Sequence, residues 1–89
     1  MPSLLIFIFK KAVGKPMDRV DLQNELNKLN IPRDSYSIDG VEDEALCLIL
    51  DGGLWCVFYS EYGKRTEVEF FATENDACQS FLARITKWY

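Results

Sequence analysis

Three cysteines and a dense group of carboxylates are the residues of this 89-residue chain that could carry chemistry, because it contains no histidine. Without an imidazole, the Ser-His-Asp and Cys-His arrangements are excluded, since both pass a proton through that ring. Cys47, Cys56 and Cys78 are widely separated and each lies among apolar residues. A zinc site wants clustered ligand spacing, so these read as buried free thiols used as small hydrophobes. Glu67 and Glu69 stand two apart on an expected strand, where a shared face could pair a general acid with a base. Nothing beside them predicts the apolar pocket that would raise one pKa, and a solvated strand face is their simpler role. Asp51-Gly52-Gly53 joins two apolar runs and lacks the following helix start that gathers amides on a phosphate. These residue types predict no enzyme, no cofactor and no metal centre.

The carboxylates carry a different message. From Asp34 to Asp51 the chain has six of them, Asp34, Asp39, Glu42, Asp43, Glu44 and Asp51, and no Lys or Arg. A block of one sign meets a basic partner by electrostatic complementarity, although a loop of carboxylates also serves turn geometry and solubility. Lys64-Arg65 beside Tyr59 and Tyr62 has the look of a basic and aromatic nucleic-acid patch, but two cations are too few to replace phosphate counterions. They read as turn residues that contact a partner or pair with Glu61 and Glu67.

The whole chain agrees. A formal charge of −4 weighs against nucleic acid and against an anionic membrane surface. The charge is uneven: Lys10, Lys11 and Lys15 give residues 1–16 a charge of +3, leaving −7 for the rest. Leu4 to Phe9 (LLIFIF) is only six residues, too short to span a bilayer, and its lysines follow the apolar run where a secretory signal would place them first. The odd cysteine count fits a reduced, cytoplasmic setting.

These residues must be positioned by one small domain, since a chain of this length has room for a single core. Val13-Gly14-Lys15-Pro16 breaks the chain, so residues 1–16 read either as an extension or as an extra first strand, and residues 17–89 as one α+β domain. Asp18 is placed as an N-cap, with Met17 and Leu22 as a hydrophobic staple. Leu22, Leu26 and Leu29 form the apolar stripe of a first helix, ended by Asn30 and Pro32. Tyr36 and Ile38 alternate in a short strand before the Asp39-Gly40 turn. Ala45 to Leu50 and Leu54 to Ser60 form a hairpin across Gly52-Gly53. After Glu61-Tyr62-Gly63, Lys64 to Phe71 makes a strand in which Thr66, Val68 and Phe70 alternate with Arg65, Glu67 and Glu69. Thr73 and Asp76 approximate a capping box for a last helix, with Cys78, Phe81, Leu82, Ile85 and Trp88 as its stripe. The expected fold is a three- to four-stranded antiparallel meander flanked by an N-terminal and a C-terminal helix. Both central strands are apolar on each face, so a face away from the helices needs cover, either from the N-terminal segment or from a second copy or another partner.

From Met17 to Trp88 the chain resembles small bacterial immunity proteins of polymorphic and contact-dependent toxin systems. The resemblance is carried by Met17-Asp18-Arg19, by Tyr36-Ser37-Ile38-Asp39-Gly40 with Glu44-Ala45, by Trp55-Cys56-Val57-Phe58-Tyr59-Ser60-Glu61-Tyr62-Gly63-Lys64-Arg65, and by Phe71-Ala72-Thr73-Glu74 leading to Ala77-Cys78. Tyr62 departs from the pattern, which has arginine between Glu61 and Gly63. The resemblance implies a cytoplasmic inhibitor that binds one toxin directly, commonly a nuclease or nucleotide-degrading enzyme. Such toxins tend to be basic in order to hold phosphates, which suits an acidic inhibitor. On that reading Trp55, Tyr59 and Tyr62 are aromatic anchors. Asp39, Glu42, Asp43, Glu44 and Glu61 are the charged complement, and Lys64 and Arg65 flank them. The alternative is a non-enzymatic interaction domain that homodimerises through the apolar sheet face or the Leu4 to Phe9 strand.

Overall fold

The structure, a computed structural model, describes residues 16–89. The expectations for residues 1–15, including the extra strand Leu4 to Phe9, lie outside the described residues. Helix α1 spans Arg19–Lys28. A short 3-10 turn at Arg33–Ser35 leads into four strands, β1 Tyr36–Ile38, β2 Ala45–Asp51, β3 Leu54–Glu61 and β4 Lys64–Phe71, and helix α2 spans Glu74–Ile85. The strands form one sheet in the order β1-β2-β3-β4. This is an α+β architecture with a mixed sheet.

Local chemistry sets the helix ends. Asp18 accepts a hydrogen bond from the Asp21 backbone N–H at 2.8 Å, and the Asp21 carboxylate accepts from the Asp18 N–H at 3.1 Å, which closes a capping box. At the other end Asn30 adopts φ of 57°. The Ile31 N–H then reaches the Leu26 carbonyl and the Asn30 N–H reaches that of Asn27, both at 3.1 Å. That is a Schellman closure, and it turns Ile31 into the core. Thr73 caps α2 by accepting from the Asp76 N–H at 3.1 Å.

Strands β2, β3 and β4 pair antiparallel, as their turns require. Gly52 and Gly53 both have positive φ, the geometry of a two-residue hairpin whose twist matches its strands. The first strand departs from a purely antiparallel meander: β1 runs parallel to β2, with Tyr36 opposite Leu46 and Ile38 opposite Leu48. Parallel neighbours usually need a crossover of a dozen or more residues, but β1 rises only ~10 Å, so residues 39–44 suffice to bring the chain back. Two left-handed residues make the reversal, Asp39 at φ 71° and Glu44 at φ 58°. The Asp39 N–H donates to the Leu48 carbonyl at 2.8 Å, and the Glu44 N–H to the Ser60 carbonyl at 2.6 Å.

A second departure lies in β4. Phe58 faces both Glu67 and Val68, because the register jumps between Val57 and Tyr59. Glu67 sits at φ 51°, so a β-bulge flips the alternation midway. Phe70 therefore lies opposite Cys56 and Phe71 opposite Trp55, while Thr66 lies opposite Tyr59. The strict alternation of Thr66, Val68 and Phe70 expected from sequence does not survive the bulge.

The main core lies between the sheet and both helices. Leu22 and Leu26 of α1 and Ala77, Cys78, Phe81 and Ile85 of α2 pack on Tyr36, Leu46, Leu48 and Val57. Tyr36 meets Phe81 edge to face, with ring centroids 6.4 Å apart. Each such large side chain contributes roughly 1.5–3 kcal/mol by leaving water. On the other sheet face Ala45, Cys47, Cys56 and Phe58 are buried as a second cluster, with Ile49 against it. Loop 39–44 contributes to its cover, since the Cys47 thiol donates to the Glu42 carbonyl at 3.6 Å, and the Arg65 guanidinium lies 4.6 Å over the Phe58 ring. All three cysteines are free and buried. Burial pushes the Cys47 and Cys56 thiols above their ordinary range and Cys78 up to about 12.

Candidate partner-binding site

The link between β1 and β2 divides the acidic block between two ends of the sheet. Asp39 follows the end of β1 level with Ile49, whereas Glu44 enters β2 beside the end of β3, roughly 16 Å away along the strand.

At the Asp39 end, one cation organises the surface. The Arg19 guanidinium donates from Nη1 to Asp39 Oδ1 at 2.7 Å and from Nε to Glu74 Oε2 at 2.9 Å. Its backbone N–H reaches the same Glu74 oxygen at 2.9 Å. The Asp39 hydrogen bond first, then that of Glu74, hold this guanidinium yet more firmly protonated. The group also lies 4.9 Å over the Trp55 ring, and Trp55 packs half-buried against the main core. Asp39 and Trp55 are thus engaged within the molecule. A shallow hollow of about 580 Å³ lies here, with Asp39, Glu74 and Arg19 in its wall. The pairing of Arg19 with Glu74 was not legible in the sequence, because it joins residues 55 apart.

At the other end the remaining candidates come together. Asp43 accepts from Ser60 Oγ at 3.0 Å and from the Gly63 N–H at 3.1 Å, which ties the loop to the tip of the β3–β4 hairpin. Glu61 and Lys64 face each other across that hairpin, both exposed. Between them Tyr62 is 80% exposed and held at φ 54°. Glu42 is exposed in the loop. Arg65 leaves this group: it turns to the second sheet face, pairs with Asp51 at 3.1 Å and caps Phe58. Glu67 and Glu69, weighed as an acid and base pair, both meet the Arg84 guanidinium at 3.4 Å on the surface.

Behind the hairpin tip Tyr59, half-buried on the helix side of β3, meets the Trp88 ring edge to face at 5.8 Å. Trp88 does not extend the helical stripe as its spacing suggested. Helix α2 ends at Ile85, and the following turn, with Trp88 N–H on the Ile85 carbonyl at 3.1 Å, swings the indole over Tyr59. Trp88 is 49% and Tyr89 58% exposed. Together with Ser35 and Glu44 they line a cleft of about 360 Å³. Burial, then the carboxylates of Glu61 and Glu44, push the Tyr59 phenol above its ordinary range.

Among the described residues no three Cys, Asp or Glu side chains gather as metal ligands would, and no helix is long and apolar enough to cross a membrane. This end presents the carboxylates of Glu42, Glu44 and Glu61, with Lys64 opposite Glu61, beside the exposed rings of Tyr62, Trp88 and Tyr89. The chain matches no protein-family profile, no curated protein and no solved structure.

Proposed function

We propose that this protein is a cytoplasmic binding protein of the immunity type, which neutralises a basic toxin domain by direct association and carries out no catalysis of its own. One observation carries the reading: Glu44, Glu61 and the exposed Tyr62, Trp88 and Tyr89 gather at a single end of the molecule. Aromatic residues are enriched among the anchors of protein interfaces, and peripheral charges of one sign speed the approach of an oppositely charged partner. The resemblance of residues 17–88 to immunity proteins supports the same reading, and a basic nuclease or nucleotide-degrading enzyme suits the charge.

Co-expression with the toxin domain encoded beside this gene tests it. The wild-type chain should protect cells and co-purify with the toxin. Reversal of Glu42, Glu44 and Glu61 to lysine should abolish protection and slow association at least tenfold, and rising salt should slow the wild type towards the same rate. Full protection by the reversed chain would remove the reading.

A homodimeric interaction domain is the second reading. It is supported by β4, an edge strand of the described sheet on which Phe70 is 55% and Val68 40% exposed. Light scattering on the purified chain and on a Phe70→Glu variant decides it. A wild-type dimer that the substitution splits would establish the reading, and monomers in both would end it.

A further inference from the structure

The cleft formed by Tyr59, Trp88, Tyr89, Ser35 and Glu44 is built for more than general apolar contact. Its volume of about 360 Å³ is at the small end for ligand pockets, the scale of one inserted side chain. The Tyr59 and Trp88 rings meet edge to face at an interplanar angle of 85°, and both contribute to the lining of the cleft. Glu44 supplies a carboxylate to the same cleft. The main chain at Glu44 is held in place: φ of 58° is a left-handed geometry that a non-glycine residue adopts at a cost, and its N–H donates to the Ser60 carbonyl at 2.6 Å. Aromatic faces with a nearby carboxylate are what a desolvated organic cation needs. The chain already uses this pairing within itself, with the Arg19, Arg33 and Arg65 guanidinium groups lying 4.9, 5.0 and 4.6 Å over aromatic rings.

We propose that this cleft receives a basic side chain, lysine or arginine, projecting from the partner protein, with the cation against the Trp88 and Tyr59 rings and paired to Glu44. The inference rests on the binding reading above and names the anchor point of that interface. Charge complementarity selects this occupant: Glu44 lines the cleft and Glu61 stands at the neighbouring end of the same strand as Tyr59, so an acidic or phosphate-bearing group would be repelled.

The test needs no partner. N-acetyl-arginine methylamide, N-acetyl-lysine methylamide and the neutral N-acetyl-citrulline methylamide are titrated against the isotope-labelled protein, and the Trp88 indole N–H resonance is followed. Trp55 gives the other indole signal, and a Trp88→Leu variant assigns the two. The arginine probe, the lysine probe or both should shift the Trp88 signal saturably in the millimolar range, and the citrulline probe should not. Glu44→Gln should weaken binding about fivefold. Trp88→Leu, an exposed position, should weaken it about tenfold, read from the Tyr59 and Tyr89 ring signals.

No saturable shift by about 50 mM, or equal binding of the citrulline probe, would overturn the proposal. So would binding unchanged in Glu44→Gln. The two readings fail separately. If the charge-reversed chain loses its toxin but the wild type ignores both cationic probes, the cleft proposal falls alone. If the probes bind as described while the reversed chain protects in full, the toxin reading falls and the cleft stands.

Discussion

Tyr62 is an aromatic side chain almost wholly in water, on a backbone geometry that suits glycine or asparagine. Two-residue hairpin turns of this kind place both central residues at positive φ, and the chain meets that demand with Gly63 but not with Tyr62. The left-handed geometry costs of order 1 kcal/mol. Tyr62→Asn is therefore expected to raise stability by about 0.5–1 kcal/mol, seen as a higher urea midpoint with unchanged slope. An unchanged midpoint would show that the turn bears no strain. Where Tyr62 anchors the partner, the same variant binds more weakly, which separates the two roles of one side chain. Part of this site was legible in the sequence, since Tyr59, Tyr62, Glu44 and Glu61 carry their chemistry in their side chains. Trp88 was hidden, because its spacing from Phe81 and Ile85 continues a helical stripe that the backbone does not follow. Trp55 and Asp39 were visible as an aromatic and an acid, but their engagement by Arg19 depends on chain segments that meet only in the fold.

At the scale of elements, ends read more clearly than pairings. Asp18, Asn30 and Thr73 announced their helix termini because capping is a local matter of one side chain and one or two amides. Asn30→Ala should cost about 1 kcal/mol of unfolding free energy, since alanine resists the left-handed closure, and Asn30→Gly should restore it. Equal stability of the alanine and glycine variants would show that the closure contributes nothing. Strand direction has no such local signature. Tyr36 and Ile38 alternate identically whether β1 runs with β2 or against it, and the deciding event is the reversal within residues 39–44. The bulge was equally silent, because glutamate at residue 67 gives no hint of φ above zero.

For the molecule as a whole, two apolar clusters share a single sheet, with one thiol buried in the first and two in the second. Cys78 holds its proton in the fold up to about 12, whereas an unfolded cysteine releases it near about 8.5. The unfolded chain therefore loses a proton that the folded chain keeps. Stability from this source is fully present below about pH 8.5 and declines as pH rises towards 12. Cys47 and Cys56, raised in the same direction, add to the decline. Denaturant unfolding followed from pH 7 to 11 should show the fall, and Cys78→Ala should flatten it while lowering stability at neutral pH. A slope identical in the variant would assign the alkaline loss elsewhere.

The six-residue return between the first two strands sends neighbouring stretches of sequence to opposite poles. A fluorophore or a surface tether fixed at the pole around Gly52, on the far hairpin, would leave the aromatic recess open to solution. The molecule can thus be immobilised in one orientation with its recognition pole facing outward, a practical handle supplied by chain geometry alone.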